Sequence, residues 1–395
     1  MYNVLTLNKI SETGIKNFTS DYKCSDEIKN PDAILVRSAS MHETEFAPET
    51  LAVARAGAGV NNIPIDECAK NGIVVFNTPG ANANAVKELV LCGLLLSSRK
   101  IVPAIEWVKT TLKGDENFSK SVEKGKSAFA GPEIKGKKLG VIGLGAIGVL
   151  VANAAQSLGM EVYGYDPYLS VDAAWNLSRS VKHVTNIDDI FASCDYITLH
   201  VPLTDSTKGV INTISIAKMK DSVRILNFSR GELVETGDII RALSSGKVAA
   251  YVTDFGNSAL LDANGVIVLP HLGASTPESE DNCAVMAVNE IVDYLENGNI
   301  TNSVNFPSVS VPRSGKTRIT ILHKNVPNVI SNISASVANE NINIDNMVNK
   351  STDVFYALLP IHHAYTMLDT DTEVSVDAIE AIKALDNIIR VRVIK

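Results

Sequence analysis

The sequence predicts an α/β protein with two parallel sheets, followed by a smaller α+β domain at the C-terminus. Three observations support this prediction. Apolar, β-rich runs alternate with polar segments from the N-terminus to Leu269, as parallel strands do when helices connect them. A glycine-rich turn separates one apolar strand from the helix that follows it. A segment at 308–317 with Pro, Gly and three Ser residues then predicts a linker, after which the order of elements changes.

The first region alternates short apolar strands with polar connections. The predicted strands are 4–7, 34–36, 51–55 and 74–76. Residues 83–99 are apolar and free of Pro, so they predict a buried helix. Residues 113–138 are rich in Lys, Gly and Ser, and we expect a loop at a domain boundary there.

The second region contains continuous apolar strands, which are typical of a parallel sheet covered on both faces. The predicted strands are 139–142, 161–165, 196–199, 224–227, 248–253 and 266–269. Residues 277–297 predict a helix that returns the chain to the first domain. From residue 318 to the end the order is strand, helix, strand, strand, helix, strand, which is ferredoxin-like.

Composition and charge narrow the class of protein. With 45% hydrophobic and 20% charged residues, the chain has ordinary globular usage. A net charge of −8, without blocks of Lys or Arg, argues against nucleic acid and anionic membrane partners and favours small molecules. The longest apolar run, 89–96, is far shorter than the roughly 18 residues of a membrane span, and the N-terminus lacks signal-peptide features. We therefore expect a cytoplasmic protein, and the scattered cysteines predict no metal site.

A dinucleotide fingerprint follows the strand at 139–142. Gly143, Gly145 and Gly148 form a GxGxxG pattern at the head of a helix, where backbone amides would face a pyrophosphate. The next strand ends at Asp166, and an acidic side chain there would bind ribose hydroxyls and repel a 2′-phosphate. NAD is therefore the predicted cofactor. The alternative is a glycine-rich turn in a nucleotide-free domain, with Asp166 as a surface carboxylate.

Two further strand ends carry polar side chains. Arg230 follows the strand at 224–227, and His271 follows the strand at 266–269. Ligands of doubly wound folds bind beyond the carboxyl ends of the strands, where both residues fall. Taken alone, an arginine such as Arg230 is more often a surface ion-pair partner, and a histidine such as His271 is more often a satisfied loop histidine than a base.

Several spaced motifs agree with the fingerprint: NFSRGELV at 227–234, Asp254, PHLGAST at 270–276 and NSVNFP at 302–307. Together they resemble the D-isomer-specific 2-hydroxyacid dehydrogenases over essentially the whole chain. The resemblance implies a Rossmann-type, doubly wound NAD domain at 98–282, inserted in a flavodoxin-like substrate domain at 1–97 and 283–307. It also implies a homodimer or homotetramer.

The resemblance implies a role for each matching residue. Arg230 would grip the substrate carboxylate and carbonyl oxygen, and His271 would be the acid-base group. The matching cofactor positions are Gly143, Gly145, Ala146, Ile147, Gly148, Asp166, Val201, Phe228, Ser229, Arg230, Asp254, His271, Gly273 and Ala274. The matching substrate positions are Arg37, Ser38, Arg55, Gly57, Gly59, Asn82 and Arg230.

One departure from the family pattern affects the proton transfer. The family's catalytic glutamate, which supports the histidine, should fall five residues after Asp254, where this chain has Ala259. Without that carboxylate we expect the His271 ring to be less firmly oriented and its imidazolium form less stabilised. Either another carboxylate substitutes for it, or the rate and pH optimum differ from those of the family.

The C-terminal region, 318–395, resembles an ACT domain, an amino-acid-sensing module. The resemblance places His323, Asn325 and Asn343 where serine would bind at a domain interface. Asn328 stands where the family usually has Gly, and an apolar insertion at 353–363 precedes the third strand. Because of these two departures, we expect serine to bind more weakly than the resemblance alone implies.

The leading functional prediction from the resemblance is NAD-dependent oxidation of 3-phosphoglycerate, a phosphorylated 2-hydroxy acid. A glycerate or glyoxylate reductase is an alternative with the same chemistry. A non-catalytic, NAD-sensing scaffold is an alternative of another class, which Ala259 favours and the pair Arg230 and His271 disfavours.

Overall fold

The computed structural model describes residues 1–351 and 362–395. These residues form two compact units. The first unit comprises residues 1–82 and 277–395, and the second comprises residues 83–276. Most of the predicted apolar insertion, residues 353–361, lies outside the described residues.

The first unit is built on a five-stranded parallel sheet. Its strands are β1 (Tyr2–Leu7), β2 (Tyr22–Ser25), β3 (Ala33–Val36), β4 (Ala52–Arg55) and β5 (Val74–Phe76). The strand order β2-β1-β3-β4-β5 is flavodoxin-like, as predicted. The sequence did not predict β2. This short edge strand contains polar residues among its apolar ones, so it has no apolar run.

Helices cover this sheet. They are α1 (Glu12–Ile15), α2 (Ile65–Lys70) and the long α12 (Pro277–Asn297). Helix α12 brings Ala287, Val288 and Ile291 into one core with Leu35 and Phe76. Its apolar residues recur at helical spacing, so one side of the helix is buried against the sheet.

The second unit is built on a seven-stranded parallel sheet in the order β12-β11-β10-β9-β6-β7-β8. This is the doubly wound, Rossmann-type arrangement that the fingerprint predicts. The strands are β6 (Lys138–Ile142), β7 (Glu161–Tyr165), β8 (Lys182–His183), β9 (Tyr196–Leu199), β10 (Val223–Asn227), β11 (Val248–Thr253) and β12 (Val266–Val268). The helices are α3 (Ala83–Ser98), α4 (Ile101–Thr111), α5 (Phe118–Gly125), α6 (Ala146–Ser157), α7 (Val171–Asn176), α8 (Ile187–Ser193), α9 (Thr213–Lys218), α10 (Thr236–Ser244) and α11 (Ser258–Leu261).

The units divide at different residues from those that the sequence suggested. Helix α3 belongs to the second unit because it packs against α6 and β11, so the division falls after residue 82 and not after residue 97. The return division falls after residue 276, and the whole of α12 belongs to the first unit. The predicted loop at 113–138 contains α5, which the sequence analysis did not predict. Most residues of α5 are polar, and only Phe118 and Val122 form an apolar pair on one side of the helix.

The C-terminal part of the first unit is a four-stranded antiparallel sheet with two helices, in the predicted ferredoxin-like order. Its elements are β13 (Thr317–Lys324), α13 (Val329–Ala338), β14 (Ile344–Ser351), β15 (His363–Thr370), α14 (Val376–Lys383) and β16 (Ile388–Ile394). One face packs against the helices through Ile321, Ile333 and Ile382. On the other face, Leu322 and Tyr365 join the core of the parallel sheet.

The predicted linker is held by hydrogen bonds from Arg318 of the C-terminal sheet, which also bonds to the end of α12. Arg318 and Asp369 form a buried ion pair through two contacts of 2.6 and 2.8 Å, and Arg318 is 0% exposed. The same guanidinium donates to the carbonyl oxygens of Asn297, Val311 and Pro312. The C-terminal sheet is therefore attached to the end of α12 by specific contacts.

Across residues 1–351 and 362–395, no helix is both long enough and apolar enough to cross a membrane. The same residues contain no group of three or more His, Cys, Asp or Glu side chains with the arrangement of a metal site. All five cysteines are free thiols.

Candidate active site

The glycine turn lies between β6 and α6. Gly143 has a φ of 93°, and a Cβ on this residue would lie 2.5 Å from the carbonyl oxygen of His200. A Cβ on Gly148 would lie 1.9 Å from the carbonyl oxygen of Gly143. Both positions therefore require glycine, the first for its backbone conformation and both for close backbone approach.

Gly145 leaves open space at the N-terminus of α6. A Cβ on this residue would meet nothing within 4 Å, and Ala146 and Ile147 begin the helix immediately after it. The first amides of a helix have no partner inside the helix, and its N-terminus attracts anions. The pyrophosphate of NAD fits this open position, where the turn and the first residues of α6 would hold it.

Asp166 follows β7 beside the same turn. One carboxylate oxygen accepts a hydrogen bond from the amide of Leu144 at 2.8 Å, and the other accepts from the amide of Tyr168 at 2.8 Å. These bonds hold the carboxylate next to the glycine turn. Each oxygen keeps a further lone pair with which it could accept from a ribose hydroxyl.

The ends of β9 and β10 are joined by a side chain. Ser229 donates from Oγ to the carbonyl oxygen of Leu199 at 2.7 Å, which brings the loop after β10 close to Val201. Phe228 is buried against Gly93, where a Cβ would lie 2.8 Å from the phenyl ring. Phe228 and Ser229 are therefore held at the carboxyl ends of the strands, beside the glycine turn.

Asn227 fixes the loop that carries Arg230. Its Nδ2 donates to the carbonyl oxygen of Arg230 at 2.8 Å, and its Oδ1 accepts from the amide of Ser229 at 3.2 Å. The Arg230 guanidinium also donates to the carbonyl oxygen of Ser229 at 2.6 Å. Arg230 is therefore held at its backbone, while its side chain stays exposed to a ligand.

Arg230 and His271 both lie near the ring of Phe255. The ring centroids of His271 and Phe255 are 4.5 Å apart, and the guanidinium carbon of Arg230 is 6.0 Å from the Phe255 centroid. The three residues follow β10, β11 and β12, which are neighbours in the sheet. The structure thus brings together the two residues that the resemblance names as catalytic.

Asp254 is the buried carboxylate of this group, with 3% of its surface exposed. Its Oδ2 accepts a hydrogen bond from the amide of Gly273 at 3.2 Å, and its Oδ1 has no hydrogen-bond partner among the described residues. Burial raises the pKa of the Asp254 carboxyl, whereas the nearby His271 and Arg230 act to lower it. The Asp254 carboxyl therefore interacts electrostatically with both His271 and Arg230.

Residue 259 does not supply a second carboxylate. Ala259 lies exposed in α11, and its methyl group cannot accept a proton or a hydrogen bond. Asp254, whose carboxyl pKa the nearby His271 acts to lower, is the buried carboxylate close to the histidine among the site residues described above.

The predicted substrate residues of the first unit gather after β3 and β4. Arg55 donates from Nε to the carbonyl oxygen of Arg37 at 3.0 Å, and its guanidinium lies over Gly57, where a Cβ would be 2.5 Å from Nη1. Arg37 forms a 2.7 Å ion pair with Glu280, and these side chains are 41% and 43% exposed. Exposed pairs of this kind contribute little stability, so Arg37 can exchange its partner for an anionic ligand.

The other substrate positions lie on the adjoining loops. Asn8 accepts from the amide of Ser38 at 3.1 Å and so anchors the loop after β3. The amide of Thr78 donates to the carbonyl oxygen of Gly57, which joins the loop before Asn82 to the loop that contains Gly59.

Three of these residues were missed at the sequence level: Asn8, Asn227 and Phe255. Asn227 ends a strand, Asn8 directly follows one and Phe255 lies two residues after one, and that position was the signal which could have identified them. Asn8 and Asn227 act through backbone groups and Phe255 through ring contacts, so these roles were not predicted, although Asn227 is the first residue of the NFSRGELV motif.

The three predicted effector residues do not meet within one chain. His323 is 1% exposed, and its Nε2 lies 2.9 Å from Thr366 Oγ1. Asn325 follows the end of β13 and is exposed, whereas Asn343 precedes the start of β14. Since Thr317 and Ile344 both pair with Thr370, Asn343 lies at the opposite end of the sheet from Asn325. Asn328 adopts the left-handed conformation expected of it, with a φ of 70°.

Known proteins resemble this chain in sequence and in fold. Residues 94–273 match the family described as D-isomer specific 2-hydroxyacid dehydrogenase, NAD binding domain. The D-3-phosphoglycerate dehydrogenase of Haemophilus influenzae is 32% identical over 362 residues, which cover 89% of this chain and 82% of that protein. That of Bacillus subtilis is 33% identical, and the match covers 80% of this chain and 62% of the longer relative. A 3-phosphoglycerate dehydrogenase of Entamoeba histolytica, solved with bound NAD⁺, is 26% identical with a TM-score of 0.59, covering 77% of this chain and 98% of that one.

Proposed function

The chain belongs to the D-isomer specific 2-hydroxyacid dehydrogenases, with NAD as cofactor, and on this premise we propose that it oxidises 3-phosphoglycerate to 3-phosphohydroxypyruvate. The observation that carries the proposal is the grouping of Arg230 and His271 around Phe255, next to the buried carboxylate of Asp254. A scaffold that only binds NAD would not need an acid-base group and a carboxylate-binding group side by side.

The reaction breaks the C2–H bond and the O–H bond of the hydroxyl group on C2, and the C2–O bond becomes a carbonyl. NAD supplies the acceptor for the hydride that leaves C2. His271 takes the hydroxyl proton on a ring nitrogen while the carbon–oxygen double bond forms, and it returns the proton in the reverse reaction. Arg230 binds the substrate carboxylate through its planar guanidinium and orients the carbonyl oxygen.

In this chain Ala259 stands where the family has its catalytic glutamate, and Asp254 takes the role of that glutamate in supporting the histidine. A carboxylate near the imidazolium stabilises the charged form that proton transfer creates. Asp254 is buried, and the amide of Gly273, two residues after His271, holds one of its oxygens. It acts as a positioning residue for the histidine and does not itself exchange a proton with the substrate.

The substrate phosphate is the group that distinguishes 3-phosphoglycerate from glycerate. Arg37 directly follows β3 and Arg55 ends β4, where Arg55 donates to the carbonyl oxygen of Arg37. Arginine binds phosphate through two parallel hydrogen bonds. We assign one of these two side chains to the phosphate.

An assay of NADH formation tests the proposal directly. With 3-phosphoglycerate, glycerate and D-lactate as alternative substrates, we expect kcat/KM to be highest for the phosphorylated acid and to fall when Arg37 or Arg55 is replaced by Gln. Preference for glycerate would identify a glycerate or glyoxylate reductase. Absence of turnover with all three, combined with tight NADH binding, would support the scaffold function and overturn the proposal.

A further inference from the structure

A cleft whose lining includes none of the predicted site residues lies on the first unit. One wall is the exposed side of α12, and the opposite wall comprises Gly80 and Ala81 with Thr301 and Asn302. Its volume is about 610 Å³, which is within the range of small-molecule sites.

The cleft contains a carboxyl group whose hydrogen bonding is incomplete. Glu290 lines it, yet only 5% of this residue is exposed. Its Oε1 accepts from Nδ2 of Asn302 at 2.7 Å, whereas its Oε2 has no hydrogen-bond partner in the part of the chain that the structure describes. A buried polar atom without a partner costs free energy, so a ligand that donates to Oε2 would recover this cost.

The other lining groups indicate the charge of such a ligand. Asp293 lies one turn after Glu290 on α12, and the amides of Asn282 and Asn289 line the same wall. Met286 supplies an apolar surface. None of the described lining residues is Lys, Arg or His, so a cation would meet acidic and neutral groups only.

We propose that this cleft binds a small molecule with a primary ammonium group, which donates to Oε2 of Glu290 while its carbon chain contacts Met286. An ammonium carries the positive charge that none of the described lining residues supplies, together with N–H groups that can donate to Oε2. Burial raises the pKa of Glu290 to about 8, and a cation beside the carboxyl favours its ionised form, which strengthens the contact.

The ligand would also affect the loop at 77–82. Asn302, which binds Glu290, has a left-handed φ of 45°, and its carbonyl oxygen accepts from the amide of Asn77 at 3.3 Å. Asn77 in turn donates from Nδ2 to the carbonyl oxygen of Ala58 at 2.6 Å. Because Asn82 and Gly59 belong to these loops, occupancy should change the KM for the 2-hydroxy acid. This step rests on the proposed function.

Calorimetry with n-butylammonium and its neutral isostere n-butanol tests the site independently of turnover. We expect saturable binding of n-butylammonium to the full chain and none of n-butanol. Glu290→Gln should weaken binding about tenfold or more, since it removes the charge and keeps the shape. Glu296→Gln is the matched control, because Glu296 lies on the same helix outside the cleft and binds Tyr22; it should bind like the wild type.

Equal affinity of the wild-type and Glu290→Gln proteins, or equal binding of n-butanol, would overturn the site. The same wild-type titration is then repeated with the NADH assay. An n-butylammonium-dependent change in KM that Glu290→Gln removes supports the coupling, and binding with an unchanged KM overturns the coupling. If no 2-hydroxy acid is turned over, the proposed function fails while the calorimetric result still decides the binding site.

Discussion

At the scale of single residues, the proposed mechanism depends on a carboxylate at a different position from the family's glutamate. Ala259 removes the partner that the family pattern gives to the histidine, and Asp254 lies where it can act on both His271 and Arg230. Only the position of the charge relative to the imidazole matters for stabilising its protonated form. A carboxylate from another point in the chain can therefore serve the same purpose.

We predict that Asp254→Asn lowers kcat about 100-fold and moves 2-keto acid reduction to lower pH, because the imidazolium loses its stabilising charge. The double variant Asp254→Asn with Ala259→Glu should recover part of the rate and extend reduction toward alkaline pH. Steady-state pH profiles measure both effects. The control is Asp262→Asn, which alters an exposed carboxylate after α11; an unchanged profile in Asp254→Asn would remove Asp254 from the mechanism.

Asp166 should decide the choice between NAD and NADP. Replacement by Ala removes the charge that would repel a 2′-phosphate, so the ratio of kcat/KM for the two cofactors should narrow by about tenfold or more. Asp172→Ala, at an exposed position in α7, should leave the ratio unchanged. A wild-type enzyme that uses both cofactors equally well would contradict this role.

At the scale of elements, strand ends and one helix determine where the chemistry occurs. Parallel strands end at one edge of the sheet, and β10, β11 and β12 are adjacent, so their following residues meet without any long-range motif. Helix α12 serves two purposes, because one side is buried under the first sheet and the other side lines the cleft that contains Glu290.

The pKa of Glu290 predicts how stability changes with pH. The folded-state pKa of about 8 lies above the ordinary value of 4.5, so the folded state binds more protons than the unfolded state between these pH values. The free energy of unfolding should fall as pH rises through this window, by about 5 kcal/mol at most. Denaturant titrations should show a flatter profile for Glu290→Gln and a wild-type profile for Glu296→Gln. A Glu290→Gln variant that loses stability as steeply as the wild type would show that Glu290 ionises without cost.

At the scale of the whole molecule, the C-terminal sheet is attached to the first unit and shares its core. Leu322, Tyr365 and Met367 pack with residues of the parallel sheet, and Arg390 donates to the carbonyl oxygens of Thr50 and Asn71. These contacts join segments more than 300 residues apart in the sequence. A structural change in the C-terminal sheet can therefore affect the five-stranded parallel sheet of the first unit through direct packing.

Breaking the buried pair of Arg318 and Asp369 tests this attachment. Arg318→Leu leaves a buried carboxylate unpaired and should cost about 3–5 kcal/mol of unfolding free energy, measured by denaturant titration. The double variant Arg318→Met with Asp369→Leu should recover much of the loss, because no charge then remains buried. Arg313→Leu, at an exposed arginine of the same segment, should cost less than about 1 kcal/mol. Equal effects of the two single variants would show that the buried pair has no special part in the attachment.

Serine binding is also predicted at the scale of the whole molecule. Asn325 and Asn343 lie at opposite ends of the C-terminal sheet, so they do not meet within one chain. We expect weak binding and partial inhibition at high serine concentration, strengthened by Asn328→Gly, which removes a side chain from the turn, and abolished by Asn343→Ala. Calorimetry and activity titration measure both. The absence of heat and of inhibition at every attainable concentration would assign the domain to assembly or to another ligand.

The sequence by itself determined the order of the elements, the glycine turn and the residues at the strand ends. These features follow from hydrophobic periodicity, from the backbone freedom of glycine and from the rule that ligands bind beyond the carboxyl ends of parallel strands. Only the tertiary structure decided that Asp254 lies near enough to His271 for the histidine to affect its pKa, that the linker is bound through Arg318 and that Glu290 is buried in a cleft. Each of these depends on side chains from distant segments meeting in space, and burial and electrostatic interaction depend on those neighbours and not on the local sequence.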